Sequence, residues 1–276
     1  MYFISIPFLS SDLSSVKLQR QQDLQVDSQL CNIGDIAAVS PTEMLVCEYG
    51  QSTVNLVNST AGGVTASVSV PGGPRKICLL SGMAAVALSA TKIKFIKLGR
   101  ASLTLDRVLE VDKVICGITT LDSCLVISST DPPGVTMMSK EGKVMYTVDN
   151  QKAGREIFKE PYFLTSSVDG LIYVSDRATN TVTKLDNKLN VLKTFTDPSL
   201  QNIQGIISIS RDQLLVCIQD NHRIVLLNTR TGNTTVLLGE QDGLKKPVAL
   251  TYCHTQRKLF VVSCNVTKHI QVYKLV

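Results

Sequence analysis

Residues 171–186 read LIYVSDRATNTVTKLD. A short apolar strand centred on Val174 leads into a polar turn and then into a second alternating strand, the pattern of an antiparallel hairpin. The same pattern returns as EMLVCEYGQSTVNLV (43–57), MAAVALSATKIKFIKL (83–98), SCLVISSTDPPGVTMM (123–138), QLLVCIQDNHRIVLLN (213–228) and LFVVSCNVTKHIQVYKL (259–275). Aligned on Val46, Val86, Val126, Val174, Val216 and Val262, the copies lie 40, 40, 48, 42 and 46 residues apart. Repeats of roughly 40–50 residues built from short strands mark the blades of a propeller.

Each unit divides into four strands. An approach strand such as RKICLL (75–80) or GIISIS (205–210) precedes the hairpin, and an outer strand such as TASVSV (65–70) or KVMYTV (143–148) follows it. Turns such as Pro71-Gly72-Gly73 and Glu141-Gly142-Lys143 separate them. The last unit stops after its third strand, and SSVKLQRQQDLQV (14–26) has the alternation of the missing fourth. The sequence therefore predicts an all-β, six-bladed β-propeller of four-stranded antiparallel blades, closed by the N-terminal strand completing the last blade. Residues 1–276 read as one domain. Its blades fall near 33–74, 75–113, 114–161, 162–204, 205–247 and 248–276 plus 13–26, with 1–12 a flexible lead or gene-model start.

LIYVSDRATNTVTKLD resembles the blade signature of NHL-repeat propellers, a hydrophobic strand ending in V-x-D, a turn with Asn, and a second hydrophobic strand. LLVCIQDNHRIVLLN (214–228) is similar, and LKKPVALTY (244–252) and FKEPYFLT (158–165) look like the Pro-bearing lead-in of each unit. At the V-x-D position Asp176 has the counterparts Glu48, Leu88, Ser128, Ile218 and Cys264, so the signature is complete in one blade only. The chain as a whole resembles the C-terminal propeller of tripartite-motif (TRIM) proteins of the NHL type. That resemblance implies a substrate-recognition module of a ubiquitin ligase, with RING, B-box and coiled-coil segments upstream that this chain does not contain. It equally implies, as the alternative, a propeller that reads single-stranded RNA. WD-repeat blades should carry Trp-Asp pairs, and there is no Trp here.

Composition narrows the classes. With 44% hydrophobic and 18% charged residues over 276 positions, the chain is a folded protein with a sizeable core. A net charge of +5 permits contact with nucleic acid without demanding it. No two of the eight cysteines form a C-x-x-C pair, and Cys47, Cys124 and Cys217 sit in apolar runs. They read as reduced core residues, and with no signal-peptide pattern they point to a cytoplasmic protein. The N-x-[ST] matches at Asn58, Asn233 and Asn265 are what a Ser/Thr-rich chain yields by chance. No stretch approaches the roughly 18 apolar residues that cross a bilayer, so no membrane partner is expected.

No phosphate-binding loop, nucleophile elbow, zinc-protease helix or calcium loop occurs. Asp35, Asp169 and Asp212 each lie near an approach strand, as a lactonase-type or lyase propeller would use them, but no matching ring of ligands recurs. His222 and His269 share a turn position in adjacent blades without an obvious third ligand. Met137 and Met138 lie in one strand, where alternation buries at most one of them. No catalytic residue, metal, cofactor or small-molecule substrate is expected.

A propeller gathers on one face the connections into each approach strand and the turns inside the hairpins. Here these contain Arg75, Lys76, Lys113, Lys159, Tyr162, Lys245 and Lys246, and Arg177, His222, Arg223, Lys268 and His269. If they share a face they form a basic ring with one aromatic, suited to a protein partner or to single-stranded RNA. With aromatics at 5%, the supply of stacking platforms is small. A non-catalytic module that recognises a protein is the primary expectation.

Overall fold

A computed structural model describes residues 17–26, 32–264 and 269–276. Six antiparallel sheets form among them, and from Ile33 to Leu275 the strands of each sheet pair in sequence order. Blade 1 comprises Ile33–Ser40, Glu43–Glu48, Thr53–Asn58 and Val64–Ser69; blade 2, Pro74–Leu80, Met83–Leu88, Lys92–Gly99 and Ser102–Glu110. Blade 3 comprises Gly117–Leu121, Cys124–Thr130, Pro133–Ser139 and Val144–Asp149; blade 4, Pro161–Ser166, Ile172–Asp176, Thr181–Leu185 and Val191–Thr196. Blade 5 runs through Ile203–Ser208, Gln213–Ile218, Arg223–Asn228 and Thr234–Leu238. Pro247–Cys253, Lys258–Ser263 and His269–Leu275 make three strands of blade 6.

The fourth strand of blade 6 comes from the other end of the chain. Leu18 pairs with Leu275 and Arg20 with Tyr273; after an interruption at 21–23, Leu24 pairs with Ile270 and Gln25 with His269. Leu24 and Val26 are buried with Ile36, Met44 and Ile270 between blades 6 and 1. The clasp thus joins the ring by backbone pairing and by apolar burial together.

Each gap between neighbouring blades holds its own apolar core, so the middle strands are covered on both faces. Gln213–Ile218 is buried at every position. Two expectations fail for this reason. Met137 and Met138 are both buried, Met137 against blade 4 and Met138 against blade 2. The alignment on central valines also slips. Val46, Val86, Val174 and Val216 face the preceding blade, whereas Val126 and Val262 face the following one. In blade 6 the residue opposite Pro247 is Ser263, as Asp176 is opposite Pro161, so Ser263 rather than Cys264 is the counterpart of Asp176. Where both faces are apolar, polarity no longer reports register.

The first strands of the blades surround a central channel of about 240 Å³, lined by 35–38, 77–79, 118–120, 163–165, 205–207 and 249–251. Hydroxyls stitch neighbouring blades there. Thr251 Oγ1 accepts from Ala38 N at 3.1 Å, Thr165 Oγ1 accepts from Ser208 N at 3.1 Å, and Thr120 Oγ1 donates to the Leu79 carbonyl at 2.9 Å. Among the described residues no helix is long and apolar enough to cross a membrane.

Candidate partner-binding site at the mouth of the channel

Strand direction alternates within each blade, so the starts of the first and third strands open on the same face. The sequence-predicted residues occupy that face, except Lys268, which lies outside the described residues. They do not form one ring. Four of them, Arg75, Lys76, Tyr162 and Arg177, meet at the mouth of the channel, together with Tyr49 and Phe163.

A recurrent irregularity puts them there. The pairing of first and second strands slips at Ile33/Asp35, Pro74/Lys76, Pro161/Phe163, Ile203/Ile206 and Pro247/Ala249. A β-bulge leaves one residue unpaired and turns it out of the ladder. In blades 2 and 4 the residues so turned are Arg75 and Tyr162. Glycines alternate with them: a Cβ on Gly34, Gly117 or Gly205 would lie 2.7, 2.6 or 2.7 Å from the carbonyl oxygen of Arg75, Tyr162 or Val248 in the next blade. Only glycine permits that approach of backbones.

Tyr162 is the hub. The Arg177 guanidinium lies 4.5 Å from its ring centroid and Lys76 Nζ 5.4 Å, while the phenols of Tyr49 and Tyr162 favour the charged form of Arg75. Arg75 also lies 4.9 Å from the Tyr49 ring and donates from Nε to Ser89 Oγ at 3.2 Å. Lys76 Nζ is 3.4 Å from the Phe163 centroid, and its polar contact is the Gly34 carbonyl at 3.5 Å. Lys76 is 6% exposed. Burial lowers its pKa to about 8; Asp35 opposes that shift, and Arg177 and Arg75 add to it. Asp35, half-buried beside it, is pushed above the ordinary carboxylate value by desolvation. Its oxygens accept from Ile36 N at 3.0 Å and Ile77 N at 3.2 Å.

The other predicted residues serve elsewhere. Lys159 is exposed and pairs with Glu156 at 3.2 Å, and Lys113 reaches Thr136 Oγ1 at 3.4 Å. His222 Nδ1 accepts from Lys246 N at 3.0 Å, tying the blade 5 hairpin turn to the connection into blade 6. Arg223, Lys245 and Lys246 are exposed on the rim, and His269 begins the third strand of blade 6 opposite Gln25. Asp169 and Asp212 lie in turns at the opposite end of the blades from Asp35. Among the described residues no group of three His, Cys, Asp or Glu side chains could hold a metal ion. Tyr49 and Phe163 escaped sequence reading, although each adjoins a residue in the V-x-D or lead-in motif.

No family's sequence model matches the chain, and no curated protein matches it. Among solved structures it resembles the WD40 β-propeller domain of Doa1, with a TM-score of 0.61 and 13% identity over 93% of this chain and 97% of that one. It also resembles a functionally unknown protein from Desulfotomaculum acetoxidans DSM 771, with a TM-score of 0.60 and 13% identity over 80% of this chain and 73% of that one. At that identity the likeness is one of fold. The chain is a six-bladed β-propeller.

Proposed function

We propose that this propeller is a protein-recognition module that engages its partner at the channel mouth, as the NHL-type propeller of a TRIM-like ubiquitin ligase would engage a substrate. One observation carries the reading: Arg75, Lys76 and Arg177 converge on Tyr162, yet among the described residues none of them has an ion pair. Like charges gathered around one ring repel one another, as Arg75 and Arg177 do Lys76, and such a cost is typical of a binding surface. Arg and Tyr are also the residue types that dominate binding hot spots. Single-stranded RNA is the second reading, favoured by the Tyr49 ring, 42% exposed beside Arg75, as a stacking surface.

The test compares three immobilised proteins: wild type, an Arg75→Glu/Arg177→Glu variant, and an Asp169→Lys/Asp212→Lys control on the opposite face. Cell extract is passed over each with and without nuclease. A protein retained by wild type and control but not by the mouth variant supports the proposal. Nuclease-sensitive retention that falls steeply with salt replaces it with RNA binding. Equal retention by all three overturns the assignment of the mouth.

A further inference from the structure

We infer that the mouth seats one anionic group, a carboxylate or a phosphate carried by an extended segment of the partner, against Tyr162 between Arg75 and Arg177, with Lys76 behind it. The inference rests on the reading of the mouth as a partner-binding surface and names what that surface takes.

Three features point to an anion. First, the cluster has donors to spare. Lys76 Nζ carries three protons and meets one carbonyl at 3.5 Å, and the Arg177 side chain has the Tyr162 ring as its contact. Second, the half-buried carboxylate nearby favours charge on Lys76 without offsetting its burial. Asp35 spends an oxygen on each of two backbone N–H groups, and no ion pair joins it to Lys76. Third, Tyr162 and Phe163 screen Lys76 from water, while Arg75 is exposed and Arg177 half-buried at the opening, and burial strengthens a charge-assisted hydrogen bond formed to Lys76. Two guanidiniums around one ring suit the planar or tetrahedral oxygens of a carboxylate or phosphate.

The charge distribution favours a single anion on a peptide over a polyanion. On the far side, the mouth continues through Gln204, whose amide donates to Gln219 Oε1 at 2.9 Å, and through Val248. These are amide and apolar groups suited to a neutral backbone. The cations of that side, Arg223, Lys245 and Lys246, are exposed on the rim and have no aromatic neighbour among the described residues.

The probes are inorganic phosphate, an oligouridine, and three capped Ala/Gly peptides that differ only in a central Asp, phosphoserine or Asn. Binding is followed through the side-chain nitrogen resonances of Arg75, Lys76 and Arg177. The Asp or phosphoserine peptide is expected to bind about tenfold or more tightly than the Asn peptide, and the tighter of the two identifies the anion. Arg75→Gln/Arg177→Gln should abolish that preference. Lys76→Met, which keeps the apolar contact with Phe163, should weaken it, and thermal unfolding checks that both variants fold. Equal binding of all three peptides overturns the anion seat while leaving the protein-recognition reading intact. Binding of oligouridine without any peptide overturns both. Phosphate that leaves these three resonances unmoved overturns the seat.

Discussion

Lys76 Nζ stands 3.4 Å from the centroid of the Phe163 ring, so a cation of blade 2 meets an aromatic face of blade 4 across the channel mouth. Cation–π attraction offsets part of the cost of burying the charge, about 2 kcal/mol in a desolvated setting. The lowered pKa shows that burial wins. The unfolded chain holds the Lys76 proton up to its ordinary value of 10.5, and the folded protein releases it at about 8. Between those values the unfolded state binds more protons, so this group's contribution to stability rises with pH. Urea unfolding of wild type and Lys76→Met across that window should shift the difference in the wild type's favour by up to about 3 kcal/mol. A flat difference would contradict the burial of the charge amid Asp35, Cys47, Arg75 and Arg177.

Asp176 staples the hairpin turn of blade 4 to the connection before it. Its oxygens accept from Lys159 N at 2.7 Å, Glu160 N at 3.1 Å, Ala178 N at 3.1 Å and Thr179 N at 3.0 Å. Asp176→Ala leaves those donors unpaired and is expected to cost about 2–4 kcal/mol, with Asp176→Asn intermediate, by denaturant titration.

Gly117→Ala is expected to destabilise by about 1–3 kcal/mol in thermal unfolding, because the new methyl would meet the Tyr162 carbonyl at 2.6 Å. It should also perturb the Arg177 side-chain resonance, since Tyr162 carries that guanidinium.

His222 and Asn180 hold the same turn position, with φ of 53° and 56°. Each accepts from the next connection's backbone, His222 Nδ1 from Lys246 N and Asn180 Oδ1 from Asn202 N at 2.8 Å. His222→Asn should therefore be nearly neutral, whereas His222→Ala should cost about 1 kcal/mol. Chemical denaturation of the pair distinguishes this clasp from a metal-ligand role, in which both substitutions would behave alike.

Removal of residues 1–26 strips Leu24 and Val26 from the core between blades 6 and 1 and bares the edge of His269–Leu275. Amide exchange in His269–Leu275 is expected to accelerate well before exchange in blade 4. Uniform protection in both blades would show that the clasp is dispensable.

Blade number, strand order and the clasp were legible because they depend on local properties. The spacing of Val46 to Val262, the turn residues and the alternation of 14–26 are carried by each segment's own side chains. In Lys92–Gly99, Ile93 and Phe95 are buried while Lys92 is exposed and Lys94 half-buried, as the local alternation of apolar and charged residues requires. Lys76 defeated that logic. Its polarity marks it for solvent, yet the bulge at Pro74/Lys76 and the aromatic face of Phe163 give it a buried place.

By itself, then, the sequence determined a ring of six four-stranded blades and its clasp, because period and polarity survive in every short segment. Only the tertiary structure decided which side of a blade Val126, Met138 and Val262 fill, since strands covered on both faces lose the contrast that alternation needs. It also decided which cations come together. Arg75, Lys76 and Arg177 come from blades 2 and 4, and they meet at Tyr162 because bulges turn the chain there and glycines let the blades close up.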